Sequence, residues 1–489
     1  MKDNLNVLFI SAEATPFVKV GGLADVAGAL PAALRALPSD QTGGLFLDVR
    51  LVLPFHNIIK SSEIITTAIL QFPLTVGEEQ LEISVYESVL GGVPTYLIDG
   101  DPISKAESVY SSNGEQDREK YIFFSIAAFE LARYLEWKVD VIHANDWHTA
   151  LTLYLLKTRK SDLFYENTKG LITIHNLPYM GGEVGDMFHK FGIEALTDGE
   201  LPEWARTQML PIGLWAADTM VAVSETYAKE IMTPDYGSGL HEFLKKRRRV
   251  IRGITNGLDI KQWDPKSDEY IFTNFNWRNI EDRIDNKSDL IRTLGLDEDL
   301  TIPLIGMVTR VDYQKGIDLT INALRLLSDL PWQFVLLGSG DAFIEGQLQQ
   351  LQTEFSERVR IISRFDNEIS HQIYAGADIF LMPSRYEPCG LSQMIAMRYG
   401  CVPVVHATGG LIDTVKDGET GFVFQESKSE TQAEAIRNAL VTFKAKKTWQ
   451  SLQKKGMRHD FSWGRSAKKY ATIYRSLSQQ KLPEVHNEN

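Results

Sequence analysis

The chain has 489 residues, of which 44% are hydrophobic and 24% charged, a balance typical of a globular protein of two or three domains and not of a disordered chain. Its net charge of −13 disfavours nucleic acid and anionic membranes as partners, and two cysteines, Cys389 and Cys401, are too few for a disulfide framework or a zinc site. The N-terminus lacks the pattern of a signal peptide and no run approaches 18 apolar residues, so we expect a cytoplasmic protein.

Short apolar runs alternate with amphipathic stretches along the whole chain. The predicted strands are, in chain order, Val7–Ile10, Val49–Leu53, Thr95–Ile98, Val141–His143, Leu171–Ile174, Thr219–Val223, Val250–Ile254, Leu304–Val308, Gln333–Leu337, Val359–Ile362, Ile379–Met382, Val402–Val405 and Phe422–Phe424. Most are rich in Val, Ile and Leu without strict alternation, which is typical of parallel strands buried on both faces. Helical patterns such as Leu23–Leu37, Tyr121–Leu135 and Leu391–Tyr399 lie between them. The alternation predicts an α/β fold with doubly wound parallel sheets.

A single sheet rarely holds so many strands, so the pattern predicts two Rossmann-like domains facing a cleft. We place the first domain at residues 1–257, because the turn dipeptide Asn256-Gly257 ends a strand, and the second at residues 258–463. A helical pattern over residues 464–480 is expected to pack back on the first domain. Residues 481–489 are predicted to form a disordered tail.

A glycine loop follows the first predicted strand. Lys19-Val20-Gly21-Gly22 precedes a predicted helix, and Asp25 follows three residues after the second glycine. Paired glycines let backbone N–H groups approach a ligand, the helix start carries partial positive charge, and Lys19 adds a full charge. The loop therefore predicts a pocket for phosphate or another anion, with a plain strand-to-helix turn as the alternative. Its spacing matches neither a dinucleotide fingerprint nor a P-loop.

Two polar clusters follow predicted strands of the second half. Arg310 and Lys315 come after Leu304–Val308, and two cations beside a glycine suit a diphosphate, although a solvated loop is the simpler alternative. Glu387 comes after Ile379–Met382, just before a glycine and a new helix. It could accept hydrogen bonds from sugar hydroxyls or stabilise developing positive charge, or it could be an ordinary acidic residue at a helix start.

Two further clusters lie in the first half. The segment His143–His148 follows one predicted strand, and Ile174–Leu177 follows the next. A lone histidine is usually structural, but four polar clusters at carboxyl ends of strands together indicate a functional site. The basic run Lys245–Arg249 stands out in an acidic chain; it is either a solvated loop or a contact for phosphate or a partner.

These segments resemble the bacterial glycogen synthase and plant starch synthase family. The matches occur in family order over roughly residues 5 to 475 and comprise Lys19–Val26, Asn145–His148, Ile174–Leu177, Asn256-Gly257, Arg310–Gly316 and Pro383–Leu391. The resemblance implies a retaining glycosyltransferase of the GT-B architecture that adds glucose from ADP-glucose to the non-reducing 4-hydroxyl of an α-1,4-glucan.

The resemblance also implies the ligands and partners. It implies no metal or prosthetic group, ADP as product, and glycogen, starch or a maltooligosaccharide as acceptor, with no nucleic acid and no membrane. The sequence leaves open the preference for ADP-glucose over UDP-glucose and the oligomeric state, a homo-oligomer included.

By the same resemblance, the functional residues fall into three groups. The catalytic positions are Glu387, Arg310, Lys315, Lys19, His175 and Asp146. The positions expected to bind the nucleotide sugar are Lys19, Gly21, Gly22, Asp25, Asn256, Arg310, Lys315, Gly338, Phe365, Glu387, Cys389, Gly390, Leu391 and Ser392. The positions expected on the acceptor side, in the first domain, are Trp147, His148 and Asn176.

Some positions depart from the family pattern. Asn145 stands where histidine is common, Met180 where glutamine is common and Glu225 where proline is common. Ile395 occupies the position where many related transferases carry a second glutamate, which favours the glycogen and starch synthase branch. Two rival interpretations are a sugar-binding protein without catalysis and a glycogen phosphorylase, which is usually longer and needs a pyridoxal-phosphate lysine.

Overall fold

The computed structural model describes residues 4–159 and 161–479. The chain divides into two compact units: unit 1 comprises Met1–Gly257 with Trp463–Asn489, and unit 2 comprises Leu258–Ser462. The predicted tail at residues 481–489 lies outside the described residues.

The strands of the described residues alternate with helices through most of the chain. The strands are β1 Asn4–Ile10, β2 Phe46–Pro54, β3 Thr67–Val76, β4 Glu79–Leu90, β5 Val93–Asp99, β6 Val141–Asn145, β7 Lys169–Ile174, β8 Thr219–Ala222, β9 Ile251–Gly253, β10 Leu304–Val308, β11 Gln333–Leu337, β12 Val359–Ile362, β13 Ile379–Met382, β14 Val402–His406 and β15 Phe422–Phe424. The helices are α1 Gly22–Arg35, α2 Asn57–Lys60, α3 Asp101–Ser104, α4 Gly114–Tyr134, α5 Trp147–Thr158, α6 Gly185–Lys190, α7 Met209–Ala216, α8 Glu225–Glu230, α9 His241–Lys246, α10 Arg283–Leu294, α11 Ile317–Leu326, α12 Ala342–Glu354, α13 Asn367–Gly376, α14 Ser392–Arg398, α15 Gly409–Thr414, α16 Ser429–Lys444, α17 Lys446–Met457 and α18 Trp463–Ser478.

Each unit is built on one sheet. In unit 2 the strand order is β12-β11-β10-β13-β14-β15, and every pair is parallel. In unit 1 the order is β3-β4-β5-β2-β1-β6-β7-β8-β9. In both sheets the strand order reverses beside the first strand, between β1 and β6 and between β10 and β13. Such a reversal leaves a crevice at the carboxyl ends of the strands, where open α/β sheets bind ligands. The expected α/β fold is confirmed.

The expectation of purely parallel sheets holds for unit 2 and is wrong for unit 1. There β3, β4 and β5 pair antiparallel, and neither β3 nor β4 was predicted. The reason lies in their burial: Phe72, Leu74 and Val76 of β3 are buried, whereas the residues between them are exposed. A sheet face open to water gives alternation in place of a continuous apolar run.

The last helix completes the core of unit 1. Helix α18 buries Ala467, Tyr470 and Tyr474 in the same hydrophobic cluster as β1 and α1. The Tyr474 hydroxyl lies 2.6 Å from Nδ1 of His143 on β6, so a polar contact accompanies the apolar packing. The expected return of the C-terminal helix to the first half is therefore confirmed.

Candidate active site

The glycine loop connects β1 to α1, as its sequence predicts, but its interior differs from the expected anion pocket. The buried carboxylate of Glu13 accepts hydrogen bonds from the backbone N–H groups of Val20 and Gly21. Burial raises the pKa of this carboxyl, and the two N–H groups oppose that effect. The N–H of Gly21, expected to contact the nucleotide sugar, is thus already bonded to an internal carboxylate.

Lys19 and Gly22 of this loop are exposed to solvent. The Lys19 ammonium lies 2.7 Å from the Asp25 carboxylate and is about half exposed. At Gly22 a Cβ atom would meet nothing within 4 Å, so the space beside this backbone is open. Sequence reasoning missed Glu13; its signal was an acidic residue between a buried strand and a glycine pair.

Asp146 and His175 come together because β6 and β7 are neighbours in the sheet. Asp146 precedes α5 with a φ of 54°, in the left-handed region that non-glycine residues rarely adopt. Its carboxylate does not cap α5; it accepts the backbone N–H groups of His175 at 2.7 Å and Asn176 at 3.4 Å. Burial raises the pKa of Asp146 to about 7 despite these bonds.

His175 is neutral in this setting. Its Nε2 atom lies 2.9 Å from Oδ1 of Asn145, and burial lowers its pKa to about 3. An uncharged imidazole can exchange hydrogen bonds with hydroxyl groups but adds no charge to the site. The structure therefore unites two predicted catalytic residues with Asn145, a position noted only as a departure from the family pattern.

The residues expected on the acceptor side differ in exposure. Trp147 is half-buried and stacks near His148, with ring centroids 4.0 Å apart. His148 is buried beside Tyr110 and Tyr121, and its Nδ1 has no hydrogen-bond partner within the described structure. Asn176, half-buried, likewise has an unpartnered Oδ1. Sequence reasoning missed the two tyrosines that complete this aromatic cluster.

In unit 2 the loops after β10 and β13 meet, because these strands are neighbours. Gly316 has a φ of 66°, and a Cβ atom there would lie 2.3 Å from the carbonyl oxygen of Pro383, so only glycine allows the loops this close. The approach sets Nζ of Lys315 at 2.7 Å from Oε2 of Glu387, which is buried. The Ser384 hydroxyl donates to the same oxygen at 2.9 Å.

Arg310 stands apart from this pair. Its guanidinium lies 3.4 Å from the Asp312 carboxylate, and its side chain is 61% exposed. Asp312 in turn accepts the backbone N–H of Lys315 at 3.0 Å, so it links the two predicted cations through the turn. The structure brings Lys315 to Glu387 and leaves Arg310 open to solvent.

A second contact fixes the same two loops, and sequence reasoning missed it. The guanidinium of Arg385 forms a two-pronged ion pair with Asp318, at 2.8 and 2.7 Å, and covers the ring of Tyr313 at 3.6 Å from its centroid. Bidentate arginine pairs are directional, so this contact orients the loop that carries Glu387.

The backbone after Glu387 is held by the side chain of Gln393. Gln393 donates from Nε2 to the carbonyls of Cys389, at 3.1 Å, and Gly390, at 2.9 Å. Gly390 has a φ of 73°, which favours glycine. Leu391 and Ser392 lead into the short helix α14. These four predicted nucleotide-sugar positions thus follow Glu387 in one continuous loop.

The remaining predicted positions lie farther from the Lys315–Glu387 pair in sequence. Gly338 directly follows β11 and has a φ of 155°. A Cβ atom there would overlap the carbonyl oxygen of Thr309. Phe365 is 85% exposed, so its ring is open to a stacking partner. Asn256 belongs to unit 1, where it is nearly buried with an unpartnered Oδ1.

The basic run is partly structural. The guanidinium of Arg247 binds carbonyl oxygens at the C-terminal end of α7, including that of Leu214 at 2.9 Å, and Lys245 pairs with Glu242 at 2.7 Å. Lys246 and Arg248 are exposed. Arg247 therefore satisfies helix-end carbonyls, a standard role for a cation there.

Within residues 4–159 and 161–479, no group of three or more His, Cys, Asp or Glu side chains is arranged to hold a metal ion. In the same part of the chain, no helix has both the length and the apolar character needed to cross a bilayer.

Comparison with known proteins adds two family matches. Residues 6–246 match the starch synthase catalytic domain family, and residues 295–455 match the glycosyl transferases group 1 family. A glycogen synthase of Clostridium beijerinckii is 38% identical, covering 97% of this chain and 100% of the relative. A glycogen synthase of Thermodesulfovibrio yellowstonii is 37% identical, covering 97% and 98%.

Solved structures agree with these matches. The catalytic domain of starch synthase IV from Arabidopsis thaliana, bound to ADP and acarbose, is 30% identical with a TM-score of 0.87, covering 98% of this chain and 100% of that one. A sucrose-phosphate synthase from Thermosynechococcus elongatus is 19% identical with a TM-score of 0.61, covering 97% and 99%, which indicates a shared fold.

Proposed function

This chain belongs to the starch synthase catalytic domain family, together with the bacterial glycogen synthases, and from that premise we propose how its residues carry out the reaction. It is a retaining glucosyltransferase that moves glucose from ADP-glucose to the non-reducing 4-hydroxyl of an α-1,4-glucan. The observation that carries the residue assignment is the Lys315–Glu387 pair, held at the strand-order reversal of unit 2.

Lys315 and Arg310 are proposed to bind the diphosphate of ADP-glucose. The Lys315 ammonium is neutralised by Glu387 at 2.7 Å. A diphosphate would take over this cation, and the exposed Arg310 would add a second. Glu387 would then be free to face the transferred glucose. One ion pair thus keeps both charged groups in place until the substrate arrives.

The reaction we propose proceeds on one face of the sugar. The bond between the anomeric carbon and the diphosphate oxygen breaks, and a bond from the acceptor's 4-oxygen to the same carbon forms on that face. The acceptor's hydroxyl proton passes to the departing phosphate oxygen, and ADP leaves. Lys315 and Arg310 stabilise the negative charge that grows on this oxygen, while Glu387 stabilises the positive sugar without attacking it.

Unit 1 is proposed to supply hydrogen-bonding groups to the sugar and the glucan. His175 and Asp146 would contact the glucose, and Trp147 and Asn176 would contact the acceptor. The neutral state of His175 supports this, since hydroxyl groups need hydrogen-bond partners and no counter-charge. Lys19, about half exposed, would add a cation for the sugar nucleotide.

The remaining assignments are extensions of this proposal. Phe365 would stack on the adenine, Gly338 would line the nucleotide pocket, and the backbone of Cys389 and Gly390 would face sugar hydroxyls. Asn256 would also contact the nucleotide sugar. The proposed partner is an α-1,4-glucan, the proposed compartment is the cytoplasm, and we propose no role for a metal.

The test is nucleotide release from ADP-glucose and from UDP-glucose, each with and without glycogen. We expect ADP release that depends on glycogen, exceeds UDP release and matches the glucose incorporated. Complete digestion of the new chains by an enzyme specific for α-1,4 linkages would establish retention. Binding of glycogen without nucleotide release would contradict the proposal and favour a sugar-binding protein.

A further inference from the structure

Asn145 bridges three neighbouring strands at the carboxyl edge of the unit 1 sheet. It ends β6, which lies between β1 and β7, and its side chain is buried. Its Nδ2 lies 2.9 Å from the carbonyl oxygen of Ile10, at the end of β1. Its Oδ1 lies 2.9 Å from Nε2 of His175, just after β7. One amide thus serves two partners on opposite sides.

These two contacts determine where the proton of His175 resides. A carbonyl oxygen only accepts hydrogen bonds, so the amide must turn its NH₂ group toward Ile10. Its oxygen then faces His175, and because that oxygen also only accepts, Nε2 must carry the hydrogen. A neutral imidazole has one hydrogen, so Nδ1 is left as a bare acceptor.

We propose that Asn145 is a positioning residue that holds His175 as the Nε2–H tautomer, so that its bare Nδ1 accepts a hydrogen bond from a hydroxyl of the sugar. The sugar contact rests on the proposed function, whereas the tautomer does not. A phosphate oxygen cannot donate a hydrogen bond, so this arrangement selects a hydroxyl at Nδ1 and disfavours an anion.

The groups that face His175 are compatible with this state. Asp146 accepts its backbone N–H and not its ring, and the neighbouring His143 and His148 are held below their usual pKa by burial. Burial is the cause of the lowered pKa of His175, and the hydrogen-bond partner of its ring within the described residues is Asn145.

The direct test is ¹⁵N NMR of the protein with labelled histidine, near pH 7.5. The His175 signals are identified by their absence from a His175→Gln variant. We expect Nε2 to resonate as a protonated nitrogen and Nδ1 as a bare one. A protonated Nδ1, or a fully protonated ring, would overturn the inference even if the protein transfers glucose normally.

Two substitutions separate the His175 contact from the Ile10 contact. Both Asn145→Leu and Asn145→Asp remove the donor to Ile10, but only the aspartate keeps an acceptor for Nε2–H. We expect His175 to populate both tautomers in Asn145→Leu, because Nε2–H has lost its acceptor. We also expect kcat to fall by about 5- to 100-fold, in line with the cost of an unsatisfied buried polar group. Asn145→Asp should keep a hydrogen on Nε2 and retain more activity than Asn145→Leu.

The matched control is Thr173→Val. Thr173 lies on the adjacent β7, and its hydroxyl contacts Nε2 of His143 at 2.7 Å and the Tyr470 hydroxyl at 3.4 Å. This variant therefore also loses buried polar contacts of β7 but keeps the contacts of the His175 ring. A loss in Asn145→Leu no larger than in Thr173→Val would count against the inference. Should Asn145→Leu fail to fold, the wild-type spectrum alone decides the tautomer.

The sugar contact is tested with ADP-glucose analogues in which one hydroxyl at a time is replaced by fluorine. Fluorine cannot donate a hydrogen bond, so at the position facing Nδ1 it should lower kcat/KM in the wild type and much less in Asn145→Leu. An equal loss in both proteins at every position would overturn the contact. If the wild type releases no ADP at all, the proposed function fails while the tautomer assignment still stands or falls by NMR.

Discussion

The two units use charge in opposite ways at corresponding places in their sheets. At the strand-order reversal of unit 2, the ammonium of Lys315 and the carboxylate of Glu387 form a close ion pair. At the same place in unit 1, the carboxyls of Glu13 and Asp146 accept backbone N–H groups, and burial raises the pKa of both. His175 beside them is neutral.

This difference shows how one fold can prepare two kinds of binding surface. A charged pair can exchange partners with an incoming diphosphate. Carboxyls bonded to backbone N–H groups instead stiffen loops and leave uncharged groups to meet hydroxyls. Substitutions and changes of pH should therefore affect the two units differently.

The charged pair of unit 2 should matter most for turnover. Replacing Lys315 by alanine or Glu387 by glutamine removes charge that stabilises the transition state, so we expect kcat to fall by about 10²- to 10³-fold. Steady-state ADP release with near-saturating ADP-glucose and glycogen measures this. Glu354→Gln, which breaks the surface pair with Arg325 in the same unit, is the control and should keep full activity. Near-normal turnover in both active-site variants would refute the assignment.

Acid should unfold unit 1 before unit 2. Burial lowers the pKa of His175 to about 3 and of His56 to about 4, and it holds His143 and His148 well below their usual value. The unfolded chain binds protons at these groups below about pH 6.5 while the folded chain does not, so stability falls as the pH drops. His175 alone accounts for about 3 kcal/mol by pH 4.5.

Two groups oppose this trend, and unit 2 provides the contrast. Asp146 and Glu13 have raised pKa values, so they favour the folded state as the pH falls toward 4, but they are outnumbered by the four histidines. In unit 2, Asp268 and Asp318 have lowered pKa values, and their contribution is lost only below about pH 4. Hydrogen exchange at pH 7 and pH 4.5 should show unit 1 losing protection first; simultaneous loss would contradict the comparison.

Glu13 should determine how firmly the glycine loop is held and how well it binds ADP-glucose. In Glu13→Gln one carboxylate oxygen becomes an NH₂ group that faces the N–H groups of Val20 and Gly21, so charge-assisted bonds are lost. Such bonds contribute about 1.5–3 kcal/mol, and we expect KM for ADP-glucose to rise by about 10- to 100-fold. Faster hydrogen exchange at these two amides should accompany it. Glu225→Gln, which breaks an exposed pair with Lys469, serves as the control, and equal KM values in both variants would contradict the role.

Tyr474→Phe should have the smallest effect and should be confined to unit 1. It removes the hydroxyl that contacts Nδ1 of His143 but keeps the ring in the core. We expect a loss of about 1 kcal/mol in the free energy of unfolding, with kcat unchanged. Denaturant unfolding monitored by hydrogen exchange measures this free energy. Destabilisation of unit 2 would contradict the assignment of α18 to the core of unit 1.

Much of the fold could be predicted because parallel strands buried on both faces leave continuous apolar runs. The β3–β4 hairpin could not be read in this way, since one of its faces meets water and its strands alternate. Its signal was the period-two spacing of Phe72, Leu74 and Val76. A search for alternation as well as for apolar runs would have found it.

The sequence predicted which strand ends carry the site residues, but it did not predict which of these residues contact one another. Lys315 and Glu387 are 72 residues apart, and they meet only because β10 and β13 are neighbours, which strand spacing alone does not reveal. Glu13 was missed because its role depends on the loop folding back over it. The tautomer of His175 likewise depends on Ile10 and Asn145, which lie on two other strands.

Helix α18 also has a consequence for the order in which this protein is made. Unit 1 combines the residues up to Gly257 with the stretch from Trp463, so its core lacks Tyr470 and Tyr474 until the ribosome has passed these residues. Unit 2 is continuous and can fold as soon as it emerges. The half that is synthesised first is therefore the half that is completed last, and a nascent chain stalled before Trp463 would expose the unfilled core of unit 1 to chaperones.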